Sequence, residues 1–495
     1  MRICPFCLNK IESTEVDFLF EDEFTDWDFL RSMRKIENFP LNAREDKKYV
    51  AFRRQKKLSV TDKADTARVF IRHEELYSFI TALRKYCKKE DTGIVWDQNN
   101  QIEESFAFDD GYILTVRCKN QENEDSILEI SSETMTKKAS MICSHCHNIL
   151  PSGFFHYHQI TIGLIGRKDA GKTCMLVSLL ANQRKAINGS SDVLSFEEVQ
   201  TIQDSSYQEL REKVRLLEEN GICPDSTRLF IAPVILKAIW KISGEEHCYM
   251  VCIYDAAGEL LENAAQNENV LENIVCTDGW IYLIDPKNTG LGTAVEMLSE
   301  ENKIKILKRA KIADANLQIR MQQNDSEAQT VYKIMQDLLS DVDTEAQIRN
   351  FCDNLLQCLR KKQGGFESES NLPEIAFVLS KLDEIKTFLN EKFHDISLFD
   401  KSINYLSAEG DEAWRDREDQ IREIFDEFVM NSSSMNTHYN MYLTSALGCS
   451  TRQESMNGTM IYKLDGKYDP IRIGEAFVRT TMALMQNQIE REDRE

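Results

Sequence analysis

Gly166, Gly171, Lys172 and Thr173 stand in an octapeptide, GRKDAGKT, at the spacing G-x-x-x-x-G-K-[ST]. Residues of these types at this spacing hold a polyphosphate. The glycines let the backbone curl until successive N–H groups point at phosphate oxygens, and a following helix adds the positive end of its dipole. On this reading Gly166, Asp169, Ala170, Gly171, Lys172, Thr173 and Cys174 form the cradle. Lys172 reaches the β- and γ-phosphates and the Thr173 hydroxyl ligates Mg²⁺. A second chemistry lies in four of the 14 cysteines. Cys4/Cys7 and Cys143/Cys146 are Cys-x-x-Cys turns, each able to aim two thiolates at one metal. Together they make a tetrahedral Zn²⁺ site. A thioredoxin-type redox pair would need a βαβ setting that neither turn has. His145 and His147 are possible substitute ligands; residues so placed are more often surface neighbours, and they are left out of the set.

Such groups need elements to aim them. Ile160–Ile165 reads as a buried strand feeding the octapeptide, and Cys174–Leu180 as the helix leaving it. Two further strands, Val234–Trp240 and Tyr249–Tyr254, lead to Asp255-Ala256-Ala257-Gly258. Asp255 there can hold Mg²⁺ through water, and the Gly258 N–H can sense the γ-phosphate. Gly279–Ile284 is another buried strand, closed by Asp285-Pro286. Glu374–Leu379 runs into Ser380-Lys381-Leu382-Asp383. That tetrapeptide resembles the guanine-reading [NT]-K-x-D element of GTPases, which implies that the Asp383 carboxylate accepts from guanine N1–H and its 2-amino group, a donor pair that adenine lacks, while the Lys381 stem lies over the base and braces the phosphate loop. Tyr442–Thr444 leads to Ser445-Ala446-Leu447-Gly448, which resembles the S-A-x element of GTPases whose backbone N–H meets guanine O6. Ser407-Ala408-Glu409 has the same pattern without a strong strand before it. Thr227 is the candidate switch threonine and a second Mg²⁺ ligand; the alternative is an ordinary turn threonine. A last helix carries Ile473, Phe477 and Leu484 on one side.

The order GRKDAGKT, Thr227, DAAG, SKLD, SALG resembles the TRAFAC class of P-loop GTPases over residues 158–495. The zinc ribbon in front and the strings YDAAGE and YLIDP look most like the bacterial double-GTPase family. The resemblance implies an α/β fold: a doubly wound GTPase sheet with helical insertions, preceded by a small zinc-ribbon module carrying an α+β insert. It implies GTP and GDP as ligands, and hydrolysis serving as a regulatory switch in a conflict or defence system. A second GTPase or an effector would be the protein partner. The catalytic set would be Lys172, Thr227, Gly258 and Glu259. Two departures bear on it. Ser380 stands where Asn or Thr is usual. Glu259 stands where a glutamine orients the attacking water, and a carboxylate there could act as a base or repel the γ-phosphate. Slow hydrolysis completed by a partner is expected. A scaffold that holds GTP unhydrolysed, and a zinc-ribbon nucleic-acid binder with an ATPase motor, remain the alternatives.

At 495 residues the chain exceeds one compact core. The boundaries read as 1–151, a split zinc ribbon with an inserted α+β segment 8–142, and 158–495, a GTPase domain with a helical insertion at about 287–373. Lys and Arg total 60 against 82 Asp and Glu, a net charge of −22, which makes nucleic acid an unlikely partner for the whole surface. The basic run Arg53, Arg54, Lys56 and Lys57 reads as a solvated face. No apolar run approaches the ~18 residues of a membrane span. The first residues lack the apolar core of a signal peptide, and most cysteines are scattered singly, so the cytoplasm is the expected compartment.

Overall fold

A computed structural model of the chain describes residues 2–20, 46–55, 69–87, 101–107, 113–119, 125–131, 136–167, 169–182, 194–199, 205–225, 233–242, 244–255, 277–289, 373–393, 418–426, 429, 439–456 and 459–492. The predicted helices of 287–373, the competing Ser407-Ala408-Glu409, and Thr227, Gly258 and Glu259 lie outside the described residues.

The elements of the C-terminal part follow from runs of apolar residues cut by polar turns. They are β1 (His158–Gly166), α1 (Lys172–Ala181), β2 (Leu194–Glu198), α2 (Ser205–Asn220), β3 (Val234–Ile242), β4 (Glu245–Asp255), β5 (Gly279–Ile284) and β6 (Glu374–Leu379). Then come α3 (Leu382–Phe393), β7 (Tyr439–Leu443), the hairpin β8 (Thr451–Met456) and β9 (Thr459–Leu464), and α4 (Glu475–Glu492). One seven-stranded sheet has the order β2-β3-β4-β1-β5-β6-β7. From β4 through β1, β5, β6 and β7 the neighbours are parallel. β3 runs antiparallel to β4 and to β2. Every residue of β5 is buried and β6 is nearly so, the signature of parallel strands covered on both faces.

The two faces are covered differently. Val251 and Ile253 of β4, with Ile160, Ile162 and Leu164 of β1, share a core with Leu176 of α1, Leu210 and Val214 of α2 and Phe477 of α4. Met250, Cys252 and Tyr254, the alternate residues of β4, join a second core with Ile235 of β3 and the N-terminal part. A doubly wound sheet carries helices on both sides; here the second face at β3 and β4 packs on the N-terminal module instead.

That module contains the small antiparallel sheet of Val69–Ile71, Asp17–Phe20 and Ser140–Ile142, and a four-stranded one running from Gln101–Ala107 to Thr136–Lys138. Leu76, Ile80 and Leu83 lie buried on the helix His73–Tyr86, as their spacing predicts. The solvated-face reading fails for Arg53. It is 4% exposed, donates to the Tyr49 hydroxyl at 3.2 Å and lies over that ring, because a planar guanidinium on an aliphatic stem can be buried against an aromatic. Among the described residues no helix is long and apolar enough to cross a membrane.

Candidate functional site

Parallel strands β1, β4, β5, β6 and β7 deliver Gly166, Asp255, Asp285, Ser380 and Thr444 to one edge of the sheet, at their C-terminal ends. Ligands of open α/β sheets bind at that edge. Gly166 ends β1 with φ +147°, and a Cβ on it would sit 2.6 Å from the Leu283 carbonyl oxygen, so only glycine lets the loop leave the strand here. Gly171 caps α1, accepting the Met175 N–H at 2.8 Å. Lys172 is 7% exposed, and its ammonium donates to the carbonyls of Gly166 at 2.7 Å and Arg167 at 2.9 Å. The lysine thus folds back along the loop, its charge satisfied by the carbonyls of the turn it would hold around phosphate.

Thr173 opens α1 beside β4, and its hydroxyl donates to Asp255 Oδ2 at 3.1 Å. Both are buried, Asp255 at 1% exposure. A hydroxyl and a carboxylate beside the Gly166–Lys172 loop form an all-oxygen donor set, which suits Mg²⁺. The next residue, Cys174, has its thiol pushed up to about 11, chiefly by burial. Lys381 pulls the other way and Asp255 adds to the rise, so two segments distant in sequence act on this thiol.

The Ser380–Asp383 and Ser445–Gly448 segments also converge. Ser445 Oγ donates to Asp383 Oδ1 and accepts the Gly448 N–H at 2.9 Å. Leu382 N–H donates to Thr444 O at 3.0 Å, tying the start of α3 to the end of β7. Burial raises the Asp383 pKa above the ordinary carboxylate range, while the Ser445 hydrogen bond works against the rise. Ser380 spends its hydroxyl on Ile284 O at 3.0 Å. Ala446 and Leu447 remain partly exposed. The loop is latched from behind: Ser445 and Ile471 exchange backbone hydrogen bonds at 3.0 and 2.9 Å, and Asp469 N–H donates to Leu447 O at 3.1 Å. Gly448, at φ +74°, is where any Cβ would collide with the Asp469 carbonyl.

Asp285 is the functional candidate that sequence reading missed. Its carboxylate takes the Lys381 ammonium at 2.5 Å and caps the turn after β5 through the Lys287 N–H at 3.0 Å. The signal was an acidic residue at the C-terminal end of a buried strand, the position that Asp255 also holds.

At the other end of the chain, Cys4, Cys7, Cys143 and Cys146 bring their sulfurs within 4.8 Å of one another. Two Sγ···Sγ distances, Cys4 to Cys146 and Cys7 to Cys143, are 3.8 and 3.7 Å. A tetrahedron with Zn–S of ~2.3 Å has sulfurs roughly 3.8 Å apart, so the cluster fits that ion. The knuckles repeat each other bond for bond. Cys4 N–H meets Asn9 O at 2.9 Å and Cys143 N–H meets Asn148 O at 3.0 Å; Leu8 and His147 occupy matching left-handed positions. Asn9 and Asn148 donate to Cys7 and Cys146 sulfurs at 3.3 and 3.1 Å, as outer partners that stabilise thiolate. Burial pushes the Cys4 and Cys146 thiols up, and a dication would reverse that. His145 is exposed, as expected. His147 is not a surface residue. It is 1% exposed, and its ring joins Asp46 at 2.7 Å to Asp17 at 3.2 Å. Burial would lower its pKa, but the hydrogen bonds of Asp17 and Asp46 outweigh that and raise it. The knuckle meets the large sheet through Gln159 of β1, which accepts the Ile3 N–H at 3.2 Å and donates to Ile3 O at 2.9 Å.

No family model matches the chain, and no curated protein is similar to it in sequence. Among solved structures it is similar to the GTPase-like domain of S. cerevisiae Ski7 bound to GTP. Identity is 12%, 67% of this chain and 51% of that one are covered, and the TM-score is 0.23. It is also similar to Sup35 complexed with GMPPNP, at 11% identity, 59% and 38% coverage and a TM-score of 0.17. The chain spans about half the length of the first and less of the second. Likeness at this level carries no function across, which leaves the residues of the site to supply it.

Proposed function

We propose that this chain binds GTP with Mg²⁺ and hydrolyses it slowly, as a switch read by a protein partner. The observation that carries this is the Asp383–Ser445 hydrogen bond, made at the same sheet edge as the Gly166–Thr173 loop and the Thr173–Asp255 pair. Polyphosphate would lie in the amide cradle of Gly166, Asp169, Ala170, Gly171 and Cys174, and the Lys172 ammonium would exchange loop carbonyls for phosphate oxygens. Thr173, with Asp255 through water and Thr227, would hold Mg²⁺, which supplies charge neutralisation on the phosphates. Asp383 would select guanine, with Ser445 fixing its orientation, the Ala446 and Leu447 N–H groups facing O6, and Lys381 covering the base. Gly258 would sense the γ-phosphate and Glu259 would orient or deprotonate water.

Residues 1–151 would form a zinc-ribbon module, and 158–495 the nucleotide domain. The matched Sγ distances support Zn²⁺ in the first, and the core shared with β3 and β4 supports its acting as a fixed part of the switch protein. The zinc ribbon and the YDAAGE and YLIDP strings support a place among bacterial double-GTPase proteins, partnered by a second GTPase in defence. Fluorescent GTP titrated against the full chain and against Lys172→Ala tests the binding. Single-turnover phosphate release tests hydrolysis. Saturable binding lost in the variant, with slow release in the wild type, is expected; tight binding with no release would leave a GTP-holding scaffold.

A further inference from the structure

The hairpin of β8 and β9 interrupts the chain between the Ser445–Gly448 loop and its latch at Ile471, and nothing in the nucleotide reading uses it. Its two edges differ. The outer edge of β9 is paired: Cys223 N–H donates to Tyr462 O at 2.9 Å, and Leu464 N–H to Gly221 O at 2.8 Å. The outer edge of β8 meets no strand among the described residues, and five of its six residues are exposed, only Glu454 being partly covered. Of Ile113, Met456, Met460 and Tyr462, the large apolar side chains that stand exposed among the described residues, all but Ile113 lie on this hairpin.

The hydrogen bonds of β9 fix which peptide groups of β8 face outward. Because Tyr462 and Leu464 aim theirs away from β8, their register partners Gln453 and Thr451 sit in non-hydrogen-bonded pairs. By the alternation of antiparallel ladders, Thr451, Gln453 and Ser455 all aim N–H and C=O at the open edge. This edge has no proline and its register runs without a bulge; of the devices that ordinarily blunt such a strand it carries the charges of Arg452 and Glu454, which are opposite in sign.

We propose that β8 is a docking edge for a second copy of this chain, the two strands pairing antiparallel about a twofold axis at Gln453. That register is the one in which outward peptide groups meet with full overlap. Gln453 bonds its own copy, and Thr451 and Ser455 bond each other. It places Arg452 opposite Glu454 of the second copy, twice, in the non-hydrogen-bonded pairs where side chains approach most closely. The strand is therefore complementary to itself in charge as well as in hydrogen bonding, as an isologous contact requires. Within one copy Arg452 and Glu454 already meet at 2.7 Å near the surface, with Asp465 at 3.4 Å from Arg452 and Lys463 at 3.8 Å from Glu454, so the new pairs would exchange with ion pairs that solvent already reaches. The contact would lie beside the base-reading loop, yet it stands whether or not GTP is the ligand.

Sedimentation velocity of the full chain at about 0.15 M salt tests it, since exposed charges more than ~8 Å apart are then largely screened and the net −22 of each copy matters least. The wild type is expected to be a dimer at tens of micromolar. R452E turns the facing rows wholly acidic and E454R wholly basic, so each alone is expected to be monomeric, with an unchanged melting temperature. Mixed in equal amounts, the two variants are expected to re-form a dimer. Gln453→Pro, which removes an outward N–H, is expected to be monomeric. A wild type that stays monomeric, a dimer that survives the single reversals or the proline, or a mixture that fails to associate would each overturn the proposal.

Discussion

Asp383→Asn is the substitution with the most specific consequence. In the folded chain Oδ1 of Asp383 is taken by the Ser445 hydroxyl, and an asparagine can keep that bond with its own Oδ1. The atom left to face the base then changes from a carboxylate oxygen to an NH₂ group. Guanine presents donors there, so the variant sets donor against donor. Hydrogen bonds to a charged partner contribute about 1.5–3 kcal/mol each. Losing the one made to that atom weakens GTP by about 1.5–3 kcal/mol, or roughly 10- to 10²-fold at ~1.4 kcal/mol per decade. Xanthine carries a carbonyl at the 2-position, which accepts from the new amide, so xanthosine triphosphate should gain what GTP loses. Burial raises the Asp383 pKa, so a neutral amide removes a desolvation cost and the variant should melt no lower than the wild type. Competition of GTP, XTP and ATP against a fluorescent nucleotide reads all three affinities. GTP binding within about threefold of wild type, in a protein that folds, would refute the base-reading assignment.

Two further outcomes follow. Because burial lifts the Asp383 pKa, the carboxylate proposed to read guanine is present above that raised value and is lost as pH falls through it. GTP affinity should therefore begin to fall at a pH above the ~3.9 of an ordinary aspartate, and Asp383→Asn should lack that limb; equal acid profiles in both would remove Asp383 from the site. Cys7→Ser or Cys143→Ser should abolish bound zinc in elemental analysis. It should also lower the melting temperature by about 10 °C or more, since structural zinc contributes several kcal/mol to folding; a variant that keeps both its metal and its melting point would place the ion elsewhere.

Much of the site was legible because its chemistry sits where strands stop. The octapeptide after β1, Asp255 after β4 and Ser380–Asp383 after β6 were each marked by a buried apolar run followed by polar residues, and the parallel sheet brings such ends together. The two Cys-x-x-Cys turns were legible for a different reason: their repeated spacing and flanking text match the repeated hydrogen bonds of the folded knuckles. What escaped was set by tertiary partners. Asp285 looks like a strand stop until Lys381 arrives from 96 residues away. His147 looked like a surface neighbour because Asp17 and Asp46, the carboxylates that make its burial tolerable, are 130 and 101 residues distant. The N-terminal module's hold on β3 and β4 rests on alternate residues of strands apolar on both faces, where no periodicity separates one side from the other. β2, β8 and β9 are short and mixed in polarity, so their alternation carries little pattern; the Asn457-Gly458 pair between β8 and β9 is the one strong hairpin signal that could have found those two.

Calorimetric titration of the nucleotide-free full chain with GTP and with ATP, in the presence of Mg²⁺, meets the central claim head on. Saturable binding of GTP at one site per chain, with ATP weaker by at least 10²-fold, is the result predicted from a carboxylate accepting two hydrogen bonds. Equal affinity for the two nucleotides, or heat from neither, would contradict it.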